Sequence, residues 1–153
     1  IHEALLECHR VAKTGCSLIF TANLPGTMSK FYKIFKIVMS ETGLNESNSA
    51  IDKHIDSKRK SPDEMKRLTE EAGFRFVSSE LFSFRIGFAN GTAFLNHFLI
   101  RLYFLQSWVS LIPENKRTGI INQIEERLNQ IALTTKGLYL DIPYCVYQAR
   151  REN

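Results

Sequence analysis

Three glycines do most to restrict what this chain can become. Gly15, Gly73 and Gly137 each follow a stretch with helical apolar spacing and precede a short run suited to a strand. Glycine ends a helix readily because it adopts the left-handed conformation without a Cβ penalty. Ahead of Gly15, residues 2–13 place Ala4, Leu5, Cys8, Val11 and Ala12 on one helical stripe. After it, Ser17 to Ala22 is apolar without polar alternation, which predicts a strand buried on both faces. Asn23 to Thr27, with Pro25 and Gly26, reads as the turn that follows.

The second glycine closes the strongest local signal. In Ser61-Pro62-Asp63-Glu64, Ser61 can accept from an orphan amide while Glu64 reaches back to the amide of Ser61. Pro62 suits the first helical position, where its missing N–H costs nothing. The helix is predicted to run to about Ala72, and a strand from Phe74 to Phe84 with Phe74, Phe76, Phe82 and Phe84 on one face. The third glycine precedes a predicted strand over 138–148.

Between these units, helices are predicted at 31–39, 93–112 and 116–133, and residues 42–57 read as a polar surface loop. The span 93–112 is strongly apolar. Asn96, His97, Arg101, Gln106 and Ser107 within it argue against a lipid-facing span. Helices alternating with strands in this order predict an α/β domain built on a sheet.

Composition narrows the function classes. The 153 residues carry 20 Lys and Arg against 16 Asp and Glu, a net charge of +4. The dense basic run is Lys58-Arg59-Lys60, without interleaved aromatics, so no nucleic-acid partner is expected. Three cysteines (Cys8, Cys16 and Cys145) match no zinc spacing and no disulfide framework. Reduced thiols point to a cytoplasmic protein. No metal site is expected. The start at Ile1, without an initiator Met, reads as a truncated or processed chain.

Two segments resemble a known family. His9-Arg10-Val11-Ala12-Lys13-Thr14-Gly15-Cys16-Ser17-Leu18 is similar to the R-V-L-K-P-G-G-x-L stretch that joins the fourth helix to the fifth strand in class I S-adenosylmethionine-dependent methyltransferases. Thr14 stands for the usual Pro, and Cys16 for the second Gly. Ser61 to Met65 and Glu70-Glu71-Ala72-Gly73-Phe74 resemble that family's next unit, a capped helix ending in E-A-G-F before the sixth strand. Residues 138–148 suit the seventh. The resemblance implies the C-terminal part of a Rossmann-like sheet, three strands of mixed direction ordered fifth, seventh, sixth. A two-helix insertion at 88–137 precedes the last strand. One partial domain over 1–153 is expected, with the insertion as a substrate lid.

The family's cofactor apparatus, a Gly-rich turn after the first strand and an acidic end to the second, has no counterpart here. The complete protein is therefore expected to use S-adenosylmethionine on a small-molecule substrate. This chain alone is expected neither to bind the cofactor nor to be active. The alternative is a non-catalytic α/β binding or dimerisation module using the apolar helix 93–112. Self-association is expected through that helix or through the open edge of strand 17–22. A membrane surface is not expected.

Substrate-binding candidates follow from placement. Asn23 and Pro25 lie after the fifth strand. Asn90, His97, Arg101 and Trp108 lie in the insertion. His54 and Arg59 lie in or beside the polar loop. His97 could act as a general base, being titratable near neutral pH, or could be a satisfied core histidine. Arg101, a turn further on, could bind an anion or bond helix to helix. Trp108 and Tyr103 could line an apolar pocket or belong to the core. Asn90-Gly91-Thr92 could be only a turn and helix cap. No catalytic residue is assigned beyond the candidate His97.

Overall fold

The capping box forms as its residues dictate. In a computed structural model describing residues 1–152, Ser61 Oγ accepts from Glu64 N at 3.2 Å and Glu64 Oε2 accepts from Ser61 N at 3.0 Å. These bonds open α4 (Pro62–Glu71). The carboxyl of Glu64 is held below its ordinary range, chiefly by the backbone bond from Ser61. At the far end Gly73 sits at φ +94°, where a Cβ would lie 2.9 Å from His9 Nε2. The conformation disfavours a side chain there, and an added Cβ would have to displace the His9 ring.

Along the chain the elements are α1 (His2–Val11), β1 (Ser17–Asn23), α2 (Ser29–Glu41), α3 (Ser47–Lys58), α4 and β2 (Phe74–Phe88). Then come α5 (Gly91–Asn96), α6 (Phe98–Ile100), a π-helical turn (Arg101–Leu105) and α7 (Gln106–Val109). A 3-10 turn at Glu114–Lys116, α8 (Arg117–Thr135) and β3 (Leu138–Arg151) complete it. The sheet has the order β1-β3-β2. β1 pairs antiparallel with β3, from Ser17 opposite Arg150 to Asn23 opposite Tyr144. Contacts between β2 and β3 also run in opposite senses, from Arg75 with Glu152 to Phe82 with Tyr144 at 5.5 Å. The last strand thus lies antiparallel between the other two.

The chain divides into two compact units. One comprises residues Ile1–Thr27, Asp56–Phe84 and the chain from Ile142 on; the other comprises Met28–Ile55 and Arg85–Asp141. In the first, Leu5, Ala72, Phe74 and Ala149 form one apolar cluster, and Met65, Cys145 and Tyr147 another. Arg151 donates to the carbonyls of His9 and Ala12, satisfying the end of α1. In the second, α8 packs on α2 and α5. Phe31, Phe35, Phe94, Trp108, Ile124 and Leu128 are buried there.

Four expectations are corrected. Strand 17–22 is not buried on both faces: exposure alternates along β1, and Ile19 is 65% exposed. The reason is that the strand ends the sheet and one face has no covering layer among the described residues. β2 does not bury its four phenylalanines together. Phe74 is buried, whereas Phe82 and Phe84 are 41% and 52% exposed and rest on Tyr144. Residues 42–57 are not a loop throughout, because α3 forms around the fully buried Ile51 and the Lys36–Asp52 ion pair. Finally, 93–112 is not one helix.

Candidate functional site

The helix expected over 93–112 breaks at His97, whose ψ of 135° is extended rather than helical. His97 ends α5 and starts α6. No Pro or Gly marks the break. The neighbouring pair Asn96-His97 is the available signal, since both are weak helix formers. The imidazole contacts Phe88 edge-on at 5.4 Å and lies 5.1 Å from Phe98. Its Nδ1 is buried and has no hydrogen-bond partner among the described residues. A buried polar nitrogen left unmatched is uncommon enough to require an explanation.

The next turn is π-helical, from Arg101 to Leu105. Such turns are rare in helices and occur frequently at functional sites, because the extra residue re-aims side chains. Arg101 is exposed there. Around it Phe98, Leu102 and Tyr103 are 62%, 69% and 70% exposed. An exposed guanidinium among exposed apolar side chains can bind a ligand with one anionic group and an apolar body. The sequence reading did not separate Phe98 and Leu102 from the helix core. Their exposure depends on the break at His97.

The other candidates in this unit serve its packing. Asn90 Oδ1 accepts from Ala93 N at 2.8 Å and caps α5. Gly91 is buried where a Cβ would lie 2.6 Å from Leu128 Cβ and 2.8 Å from the Glu125 carbonyl. Only glycine lets α5 approach α8 so closely. Thr92 then bonds Glu125 through its hydroxyl and Asn129 through its amide, at 2.5 and 3.1 Å. Trp108 does not line a pocket: it is fully buried, 4.0 Å from the Phe31 ring, and its Nε1 donates to Tyr32 Oη at 3.0 Å. A bulky indole with a satisfied N–H is a core residue. His54 is half-buried, with its ring 6.5 Å from that of Tyr32.

In the other unit, Asn23 and Pro25 are exposed on the loop after β1. The loop is fastened beneath them, where Leu24 N donates to the Pro143 carbonyl at 2.9 Å and Thr27 Oγ1 to the Leu24 carbonyl at 2.8 Å. Arg59 departs from the expected solvated basic run and is only 5% exposed. The eight candidates divide between the two units. His97 and Arg101 share a segment, as do Asn23 and Pro25.

The groove beside β1 could hold S-adenosylmethionine only if it offered partners for the ribose and the carboxypropyl chain. It has a volume of about 220 Å³ and is lined by Ile1, Ala4, Leu5, Cys8, Leu18, Phe20, Thr21, Ala22 and Met65. No carboxylate is present to hold ribose hydroxyls, and no glycine opens the backbone to a carboxypropyl chain. The residues do not fit that cofactor. Among the described residues no cluster of three metal-ligating side chains occurs, and no helix is long and apolar enough to cross a membrane.

The comparisons with known proteins come from solved structures. The chain is similar to a candidate methyltransferase of Bacillus halodurans, at 14% identity and a TM-score of 0.47, covering 99% of this chain and 63% of that one. It is also similar to phosphoethanolamine N-methyltransferase 2 of Haemonchus contortus, at 12% identity and a TM-score of 0.36, covering 99% of this chain and 30% of that one. That enzyme was solved with S-adenosylmethionine, and also with phosphomonomethylethanolamine and S-adenosylhomocysteine. The chain thus spans less than two thirds of the length of these structures. No protein-family model and no curated protein sequence matches it. The strand order β1-β3-β2, with α1 leading into β1 and α4 into β2, is the order that the resemblance in the sequence implied.

Proposed function

We propose that the chain is the substrate-facing, C-terminal portion of an S-adenosylmethionine-dependent methyltransferase acting on a small molecule. The observation that carries this reading is the strand order. Two motifs placed the fifth and sixth strands in the sequence, and the strand between them is the last in the chain, antiparallel to both. Methyl transfer asks little of the protein beyond positioning, because the cofactor supplies the reactive group. This portion's contribution is recognition of the acceptor.

Recognition is assigned to the segment 97–103. Arg101 would hold an anionic group of the substrate, Phe98 and Leu102 its apolar part, and the unmatched Nδ1 of His97 a donor group or an ordered water. The insertion at 88–137 would then act as the lid over the acceptor. The cofactor would be held by residues outside this chain.

Two measurements test the reading. Calorimetry of the 153-residue chain with S-adenosylmethionine is expected to show no binding at concentrations up to about 100 µM, and micromolar binding would overturn it. In a preparation that includes the natural residues upstream of Ile1, methyl transfer to small anionic acceptors is expected, with Arg101→Ala raising KM about tenfold and leaving kcat nearly unchanged. Absence of a Gly-rich turn and an acidic strand end in that upstream segment would remove the family reading itself.

A further inference from the structure

The span from His97 to Leu105 is built differently from the helices on either side of it. His97 N donates to the Phe94 carbonyl at 3.1 Å and so belongs to α5, whereas its own carbonyl accepts from Arg101 N at 3.0 Å and so belongs to α6. The two rotatable backbone bonds of His97 lie between those hydrogen bonds. Rotation about them re-aims α6 and breaks neither. Hinges are residues of this kind, at the end of an element, where a change in φ and ψ is absorbed. At the far end, the π-helical turn from Arg101 to Leu105 carries a wider hydrogen-bonded ring than an α-helix, and helices bend at such turns.

Beyond both hinges the chain is fixed. Gly91 brings α5 against Leu128 of α8, and Thr92 N donates to Asn129 Oδ1 at 3.1 Å. Trp108 of α7 is fully buried, with its Nε1 bonded to Tyr32 Oη. Between the hinges, Ile100 is the one buried side chain from Phe98 to Tyr103, at 2% exposed.

We propose that residues 98–105 form a flap, hinged at His97 and at the π-helical turn and latched by Ile100, which closes on a ligand whose anionic group Arg101 holds. Opening forfeits the burial of Ile100 and the edge contact of His97 with Phe88, and leaves α5 and α8 in place. Arg101 lies between the hinges, so a ligand bound to its guanidinium is coupled to the position of the flap. A ligand that touches the closed flap more than the open one shifts the balance to the closed form. The proposal rests on the reading of 97–103 as the acceptor-binding segment, and it narrows the moving part of the lid to α6 and the turn after it.

Amide hydrogen exchange on the 153-residue chain tests it, without cofactor. Exchange at 99–105 should be at least about tenfold faster than in α8 and should not respond to low urea, because a local opening exposes little surface. Ile100→Ala should speed it about thirtyfold, since the latch is exposed in the open form, and Leu102→Ala should leave it nearly unchanged. If Ile100→Ala does not fold, Ile100→Val should give about a fivefold rise. Octanoate and octyl phosphate each carry one anionic group on an apolar chain. Either one in excess should slow exchange at 99–105 about tenfold, and Arg101→Ala should abolish the slowing. Exchange there that rises with urea in step with α8 overturns the flap. No response to the Ile100 variants overturns the latch, and no slowing by either probe overturns closure on an anion. Each result is separate from a failure of methyl transfer, which would remove the acceptor reading alone.

Discussion

Residues 61–73 and residues 90–109 both begin with a side-chain cap, and only the first stays one helix. In α4 the start is set by Ser61, Pro62 and Glu64 and the end by Gly73, so local chemistry defines both boundaries. In the second stretch Asn90 sets the start just as well, but nothing local sets the end. There the course of the chain follows the packing. α5 is drawn against α8 at Gly91, and Trp108 is buried against Phe31 and Tyr32. The residues between the two anchors, from His97 to Leu105, take up the mismatch as a break and a π-helical turn. Caps fix a helix from its own sequence, whereas an apolar stripe fixes only that a segment will be buried somewhere.

Removing an anchor should do more than removing a cap. Trp108→Ala should cost about 4 kcal/mol, because it empties a fully buried volume and removes the indole N–H that donates to Tyr32 Oη. Urea unfolding with an unchanged m-value would register it. Gly91→Ala should come next, at about 2 kcal/mol, since the added Cβ meets Leu128 and the Glu125 carbonyl. Hydrogen exchange should show the loosening in α5 and α8. A loss as small as that at an exposed helical position would mean that the close approach does not hold α5 in place.

Ser61→Ala should cost about 1 kcal/mol, the usual loss for an N-cap hydroxyl. Glu64 adds a pH dependence of known sign. Its folded pKa is depressed by the bond from Ser61 N, so its contribution is present above its ordinary value of 4.5 and is lost as pH falls through the folded value. Glu64→Gln should lower stability slightly at neutral pH, where the ionised carboxyl contributes, and flatten the acid limb of the stability curve below about pH 4.5. The smallest effect belongs to the break itself. His97→Ala should stay within about 1 kcal/mol of wild type, because the ring is only partly buried and its Nδ1 makes no bond. A large loss there would assign His97 to the scaffold and remove it from the acceptor-binding segment.

The ring pair at the middle of the β1–β3 pairing follows the same division. Tyr147 stacks on Phe20 at 5.0 Å and is fully buried. Desolvation first, and then the neighbouring Cys145, push its phenol well above the ordinary range. The strand predicted over 138–148 does not by itself say that Tyr147 faces the covered side.

Much of the fold was legible because its signals are local. The capping box, the stop at Gly73 and the helix before β1 lie within a few residues of the groups that cause them and formed where expected, whereas α1 ends at an extended Ala12 ahead of Gly15 and α8 at a left-handed Lys136 ahead of Gly137. The family plan supplied the strand order, which periodicity alone does not contain. α3 was missed because one buried residue, Ile51, leaves no periodic stripe in a polar segment. The candidate site was less legible still. His97 and Arg101 are visible as polar residues in an apolar run, but Trp108 in the same run is core. Which residue faces outward depends on the break at His97, and that break depends on contacts with α2 and α8, distant in sequence. Local hydrogen bonds and backbone preferences were enough to set where elements begin and end. Which of their faces meets the core, and which stays open to a partner, was settled only when residues far apart in the chain were packed together.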